Sequence, residues 1–201
     1  MRIGLLGGTF DPIHNAHLFI AEDVAARFRL DHLRIIPNGS PPHKQDSPTT
    51  PAHHRLRMAR LAAAEASNVD ADGIEVERPG PSYTVDTLRE LRSAHPNAEL
   101  VFITGIDAIA EIQTWKEPYE VLNLCTMVAV HRPGFPVDIL DAALPEPLRR
   151  RIIIHDIPEI GISSTMIRNR VASGLPIRHL TPDSVVEYIL RHGLYTDRRT
   201  P

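Results

Sequence analysis

The string Gly7-Gly8-Thr9-Phe10-Asp11-Pro12-Ile13-His14-Asn15-Ala16-His17 sets two glycines and two histidines directly after a short apolar run, residues 3–6. Adjacent glycines let a backbone turn sharply and bring its N–H groups close to an anion. A helix opening near Asn15 would add its positive N-terminal end at the same spot. His14 and His17 are three residues apart, so both imidazoles can face one ligand from the first helical turn. These are donors suited to a phosphate. Two histidines at this spacing could instead hold a metal, but no third His, Cys or carboxylate stands nearby in a ligand pattern. Either could also be an ordinary cap or surface histidine. The string lacks both the glycine loop ending in Lys-Ser/Thr and the G-x-G-x-x-G pattern, which disfavours those two nucleotide folds.

A turn of this kind needs a strand before it and a helix after it. The apolar run at 3–6 reads as a buried parallel strand, and residues 17–30 carry Leu18, Ala21, Val24, Ala25 and Phe28 on one helical face. Further strands are expected at 33–37, 74–77, 100–104, 127–130 and 152–155, and helices at 53–67, 84–94, 165–172 and 184–191. Ser164 and Asp183 are placed to cap the last two helices. Residues 38–51, rich in Pro, Ser and Thr, form a long loop of the sort that is commonly functional or mobile. Strands alternating with helices imply right-handed crossovers and an α/β, doubly wound, mostly parallel sheet, whose ligands bind beyond the strands' carboxyl ends. No repeat or linker divides the chain, so a single domain over 1–201 is expected, with a helical C-terminal part at about 162–195.

Bulk properties narrow the class. With 201 residues, 42% hydrophobic and 23% charged, the composition is that of a globular protein. A net charge of −3 gives no basic excess, so no nucleic-acid partner is expected. Arginine carries nearly all the positive charge; the only lysines are Lys44 and Lys116. The single cysteine, Cys125, sits in an apolar stretch and reads as core filler in a reducing, cytoplasmic compartment. Met1 and Arg2 lead straight into a strand-like run without a signal-peptide pattern, and no apolar run approaches the ~20 residues that span a bilayer. A soluble protein with no membrane partner is expected.

Residues 7–17 resemble the first-strand signature of the nucleotidyltransferase superfamily, whose hallmark is a His-x-Gly-His-like motif, and the full GGTFDPIH form is similar to nicotinate-nucleotide adenylyltransferases. Here the motif reads His14-Asn15-Ala16-His17, with Ala16 at the glycine position. Three more segments agree. Asn38-Gly39-Ser40-Pro41-Pro42-His43-Lys44 resembles the family's loop after the second strand. Gly80-Pro81-Ser82-Tyr83-Thr84-Val85-Asp86-Thr87-Leu88 resembles the segment that holds the nicotinate ring. Ile162-Ser163-Ser164-Thr165-Met166-Ile167-Arg168 resembles the motif that opens a helix on the ATP phosphates. Thr104-Gly105-Ile106-Asp107 and Trp115 stand where the family places adenosine and nicotinate contacts, so the resemblance spans nearly the whole chain.

The resemblance implies adenylyl transfer from ATP to nicotinate mononucleotide, with release of pyrophosphate, in NAD biosynthesis. It implies an ATP site of Gly7, Gly8, Thr9, Phe10, His14, His17, Gly105, Ile106, Asp107, Ile162, Ser163, Ser164, Thr165 and Arg168. It implies a mononucleotide site of Thr9, Asn38, Lys44, Tyr83, Thr84, Trp115 and Arg132. His14, His17, Lys44 and Arg168 would stabilise charge on the phosphates as catalytic residues, with no enzyme-bound intermediate. Mg²⁺ would arrive on the ATP phosphates without a dedicated protein metal site. Each residue keeps a bland alternative. Lys44 could be a solvated surface lysine, Ser164 and Thr165 ordinary caps, Asp107 an N-cap, and Trp115 a core anchor. The rival functions are a phosphopantetheine adenylyltransferase or other nucleotidyltransferase on the same fold, or a non-catalytic nucleotide-binding regulatory module. An oligomer is possible.

Overall fold

The Val-, Ile- and Leu-rich runs become six strands in the computed structural model: β1 (Arg2–Gly8), β2 (His32–Pro37), β3 (Val69–Ala71), β4 (Glu99–Gly105), β5 (Thr126–His131) and β6 (Ile152–Asp156). The structure describes residues 1–40, 49–131 and 144–196, so Lys44 and Arg132 lie outside the described residues. The strands pair in parallel throughout, in the order β3-β2-β1-β4-β5-β6. Direction along the sheet therefore reverses at β1, and the crevice outside the carboxyl ends of β1 and β4 is the switch point where ligands bind in such sheets.

Both faces of the sheet are covered, which explains why the strands read as continuous apolar runs. Leu6, Ile35, Val101, Ile103 and Val128 face one core with helices α1 (Asn15–Arg27), α2 (Ala52–Ala63), α7 (Ser164–Ala172) and α8 (Asp183–Arg191). Ile3, Leu5, Ile36, Leu100, Phe102 and Met127 face the other, with α3 (Thr84–Ala94), α4 (Ile106–Ala110), α5 (Pro118–Leu124) and α6 (Glu146–Arg149). A 3₁₀ turn, Ile112–Thr114, joins α4 to α5.

Three expectations need correction. The strand expected at 74–77 is a turn, and the strand lies earlier, at Val69–Ala71, paired with β2. Local bonds claim the backbone of 74–77: the Ile74 N–H donates to Asp72 Oδ1 at 3.0 Å, and the Glu77 N–H to the Gly73 carbonyl at 2.8 Å. The cap of α7 is Ser163, whose Oγ accepts from the Met166 N–H at 3.2 Å, while Ser164 Oγ donates to the Pro12 carbonyl at 2.8 Å. Asp183 is the first residue of α8 rather than its cap, which is Pro182. Among the described residues no helix is long and apolar enough to cross a membrane. Cys125 donates from Sγ to the Val121 carbonyl at 3.2 Å, and burial pushes its thiol up to about 12, the state of an inert packing residue.

Candidate active site at the switch point

A cleft of about 240 Å³ opens beyond the carboxyl ends of β1 and β4. Gly7, Gly8, Phe10 and His17 line it from the first motif, and Gly105, Ile106 and Asp107 from the end of β4. Side chains approach its glycines closely. A Cβ on Gly7 would stand 2.8 Å from Phe102 Cζ, and one on Gly8 2.8 Å from Phe10 Cζ. A Cβ on Gly105 would lie about 2.3 Å from Asp107 Oδ1. Gly7 and Gly8 belong to the strand; the left-handed backbone of the turn falls instead on Phe10, at φ 51°. A phenylalanine held there stores strain of the kind found at ligand-binding turns.

His14 caps α1 from extended backbone, and its N–H donates to His17 Nδ1 at 3.2 Å. The two imidazoles stack with centroids 3.7 Å apart and planes 19° apart, and the His17 ring meets Phe10 edge-on at 4.9 Å. With Nδ1 accepting, a neutral His17 carries its proton on Nε2. His17 lines the cleft, whereas His14 is only 2% exposed and does not. Ala16 is buried too, so its methyl group is part of the core. The first N–H of α1 is committed elsewhere, because Asn15 donates to the Leu180 carbonyl at 3.0 Å.

The turn itself is held from behind by the C-terminal helices. Arg168 donates from Nη1 to the Asp11 carbonyl at 2.7 Å and from Nη2 to Thr165 Oγ1 at 3.2 Å. Buried Thr181 donates to the Ile13 carbonyl at 2.8 Å. The buried carboxylate of Asp11 accepts from Tyr195 Oη at 2.7 Å and from the Thr50 N–H at 3.1 Å. Burial and that carboxylate hold the Tyr195 phenol well above its usual range, so it stays a donor. None of Ile162, Ser163, Ser164, Thr165 and Arg168 lines the cleft; Arg168 and Ser164 instead bond the turn's carbonyls at Asp11 and Pro12. Ser163 and Thr165 border a separate open groove along α7.

On the β2 side, Asn38 follows the strand and donates from Nδ2 to Thr9 Oγ1 at 3.3 Å. Ser82 Oγ accepts from the Gly39 and Ser40 N–H groups at 3.0 and 3.2 Å, which fastens the β2 exit to the segment opening α3. Tyr83 caps α3, with Lys116 Nζ 4.8 Å from the centre of its ring, and Thr84 is the first residue of that helix. Trp115 packs edge-on against Phe102 at 6.2 Å, so it reaches the cleft floor at Gly7 through that ring. Asn38, Tyr83, Thr84 and Trp115 lie outside the cleft lining itself.

Sequence reasoning missed Arg55, Asp11, Glu75, Ser82 and Tyr195. Arg55 is 1% exposed on α2 beside Met58, Ala59 and Ala62. A lone charge on an apolar stripe at helical spacing was the available signal. Glu75 is buried, which pushes its carboxyl above the usual range; Thr87 Oγ1 donates to it at 2.8 Å. A Cβ on Gly39 would stand about 2.2 Å from the Glu75 carbonyl oxygen, so this turn packs directly on the β2 exit.

Comparison with known proteins gives the family. A family model described as cytidylyltransferase-like matches residues 5–170. A protein of Roseiflexus sp. named "Probable nicotinate-nucleotide adenylyltransferase" is 48% identical over 198 residues, covering 96% of this chain and 97% of its own. One of the same name from Nocardioides sp. is 45% identical over 190 residues, covering 94% and 92%. The solved structure of Plasmodium falciparum nicotinic acid mononucleotide adenylyltransferase complexed with NaAD superposes with a TM-score of 0.76 at 21% identity, covering 96% of this chain and 97% of that one. That likeness is one of fold.

Proposed function

Because this chain belongs to the cytidylyltransferase-like family and, within it, to the nicotinate-nucleotide adenylyltransferases, we propose that the cleft between β1 and β4 takes ATP and that Thr9, Asn38, Tyr83, Thr84 and Trp115 take nicotinate mononucleotide. The reaction is adenylyl transfer: an oxygen of the mononucleotide phosphate bonds to the α-phosphorus of ATP as the α–β bridging bond breaks. Nicotinate adenine dinucleotide forms and pyrophosphate leaves. Relatives of this name, matched over nearly their whole length at up to 48% identity, favour this reading over the phosphopantetheine alternative.

The observation that carries the site assignment is His17, whose Nδ1 is occupied by the His14 N–H and whose ring lines the glycine-floored cleft. Its Nε2–H is a fixed donor for an α-phosphate oxygen, stabilising charge that grows in the transition state. His14, covered and stacked on that ring, acts through His17, whose direction its backbone N–H sets. Arg168 and Ser164, bonded to the Asp11 and Pro12 carbonyls outside the cleft lining, would have to turn from those contacts to meet the β- and γ-phosphates beside Thr165. For Lys44 and Arg132, which lie outside the described residues, the family resemblance implies charge on the phosphates. Asp107 accepts from the adenosine end beside Gly105 and Ile106. No enzyme nucleophile is needed, because positioning and charge stabilisation suffice for a direct displacement.

The donor set suits a cation that enters with the nucleotide. Asp107 is the one carboxylate among the described residues lining the cleft, too few for an all-protein cage. Mg²⁺ brought in with ATP would supply charge neutralisation there. We also place the protein in the cytoplasm, a reducing compartment in which its single cysteine needs no partner.

Selectivity for the acid over the amide rests on α3. Tyr83 holds extended backbone (φ −111°, ψ 131°) before Thr84, so the helix's opening N–H groups face a carboxylate favourably. An amide would set its own NH₂ against one of them. Pyrophosphate release from ATP, measured with each mononucleotide, tests both readings. Strong preference for nicotinate mononucleotide is expected. Equal kcat/KM for the two overturns the selectivity, and silence with both overturns the enzyme.

A further inference from the structure

Arg55 lies outside every motif and is nearly sealed from solvent, yet its side chain ties together four points of the chain, Thr9 and Asn38 among them. Nε donates to the Thr50 carbonyl at 2.9 Å, Nη1 to the Thr9 carbonyl at 2.8 Å and to Asn38 Oδ1 at 3.0 Å, and Nη2 to the Gly39 carbonyl at 3.2 Å. The guanidinium is thus shared between the turn after β1 and the exit of β2. Burial lowers its pKa while the Asp11 carboxylate raises it, and an arginine so placed remains charged at neutral pH.

The bond to Asn38 has a consequence for substrate. A side-chain amide can present either its oxygen or its NH₂ group to a given neighbour. Arg55 is only a donor, so Asn38 must turn Oδ1 toward it, which aims Nδ2 at Thr9 Oγ1, 3.3 Å away. From this geometry we infer that Arg55 is a positioning residue for the mononucleotide: it orients the Asn38 amide so that the N–H not taken by Thr9 faces the substrate phosphate, and it sets the spacing between Thr9 and Gly39. The inference rests on the reading that Thr9 and Asn38 contact the mononucleotide.

Steady-state kinetics of Arg55→Lys, Asn38→Ala and the double variant test it. Arg55→Lys keeps the charge near Asp11 but loses the planar fork. It is expected to raise KM for nicotinate mononucleotide roughly 10- to 100-fold, the scale of a misplaced binding group, with KM for ATP within about threefold. A role confined to holding the fold would lower the melting temperature and the active fraction while leaving KM alone. Asn38→Ala should raise the same KM, and the double variant should be no worse than about twofold beyond the poorer single, because both act through one contact. If Asn38→Ala leaves KM unchanged, the mononucleotide placement fails, and the inference with it. If Asn38→Ala raises KM while Arg55→Lys does not, or if the two effects multiply, the placement stands and Arg55 is not its positioner. Should Arg55→Lys not fold, side-chain NMR of the wild-type protein decides. The Asn38 amide and Arg55 Nε signals should both move on adding nicotinate mononucleotide and not on adding ATP alone. An Asn38 shift without an Arg55 shift overturns the inference.

Discussion

The Nδ1 atom of His17 accepts a hydrogen bond from the His14 backbone N–H at 3.2 Å, while the two imidazoles lie stacked 3.7 Å apart. One histidine thereby fixes the tautomer, tilt and exposure of the other. This is how a two-residue gap in the motif sets the direction of one ring: the helix start supplies the N–H, and that ring lines the cleft.

Removing that ring should act on turnover. His17→Ala is expected to lower kcat about 10²- to 10³-fold, as loss of a preorganised oxyanion donor does, with little change in KM for the mononucleotide. Stopped-time pyrophosphate assays at saturating ATP measure it. A kcat within about twofold of wild type would take His17 out of the mechanism.

The cleft floor should be intolerant of a single methyl group. In Gly7→Ala the new Cβ meets Phe102 Cζ at about 2.8 Å, and Phe102 in turn carries Trp115 on its edge. Overpacking of this kind costs about 1–3 kcal/mol, read from urea unfolding. Displacement of Trp115 should also raise KM for the mononucleotide. The second-site change Phe102→Leu, which withdraws the ring, should restore part of the lost stability. Absence of any rescue would show that the ring is not the obstacle.

Glu75 should leave a signature in the pH dependence of stability. Burial raises its folded-state pKa above the unfolded value of 4.5. Its contribution is therefore most favourable below that unfolded value and is lost as pH rises through the folded one. Glu75→Gln keeps an acceptor for the Thr87 hydroxyl but cannot ionise. The variant should gain stability relative to wild type between pH 4 and pH 8. Urea titrations at both ends measure the difference, and parallel curves would show that Glu75 titrates normally.

Much of this was legible in the residue order. The helix 84–94 is found as expected, because Val85, Leu88 and Leu91 repeat on one face and nothing from elsewhere competes with that pattern. The central strands were readable because burial on both faces leaves only apolar residues in them. The strand Val69–Ala71 was not, since three residues with Asp70 in the middle carry no periodic signal; pairing with β2 makes it a strand. Short α4, α5 and α6 escaped for the same lack of repeats.

The sequence by itself determined the alternating plan of the sheet and the run from Gly7 to His17, because both depend on neighbours within a few residues. Only the tertiary structure decided that His17 faces the cleft while His14 lies covered, that Arg55 clasps Thr9 and Asn38, and that Tyr195 reaches Asp11. Burial and hydrogen-bond choice are sums over atoms brought close by folding, and Tyr195 finds Asp11 across 184 positions of chain that carry no local trace of the meeting.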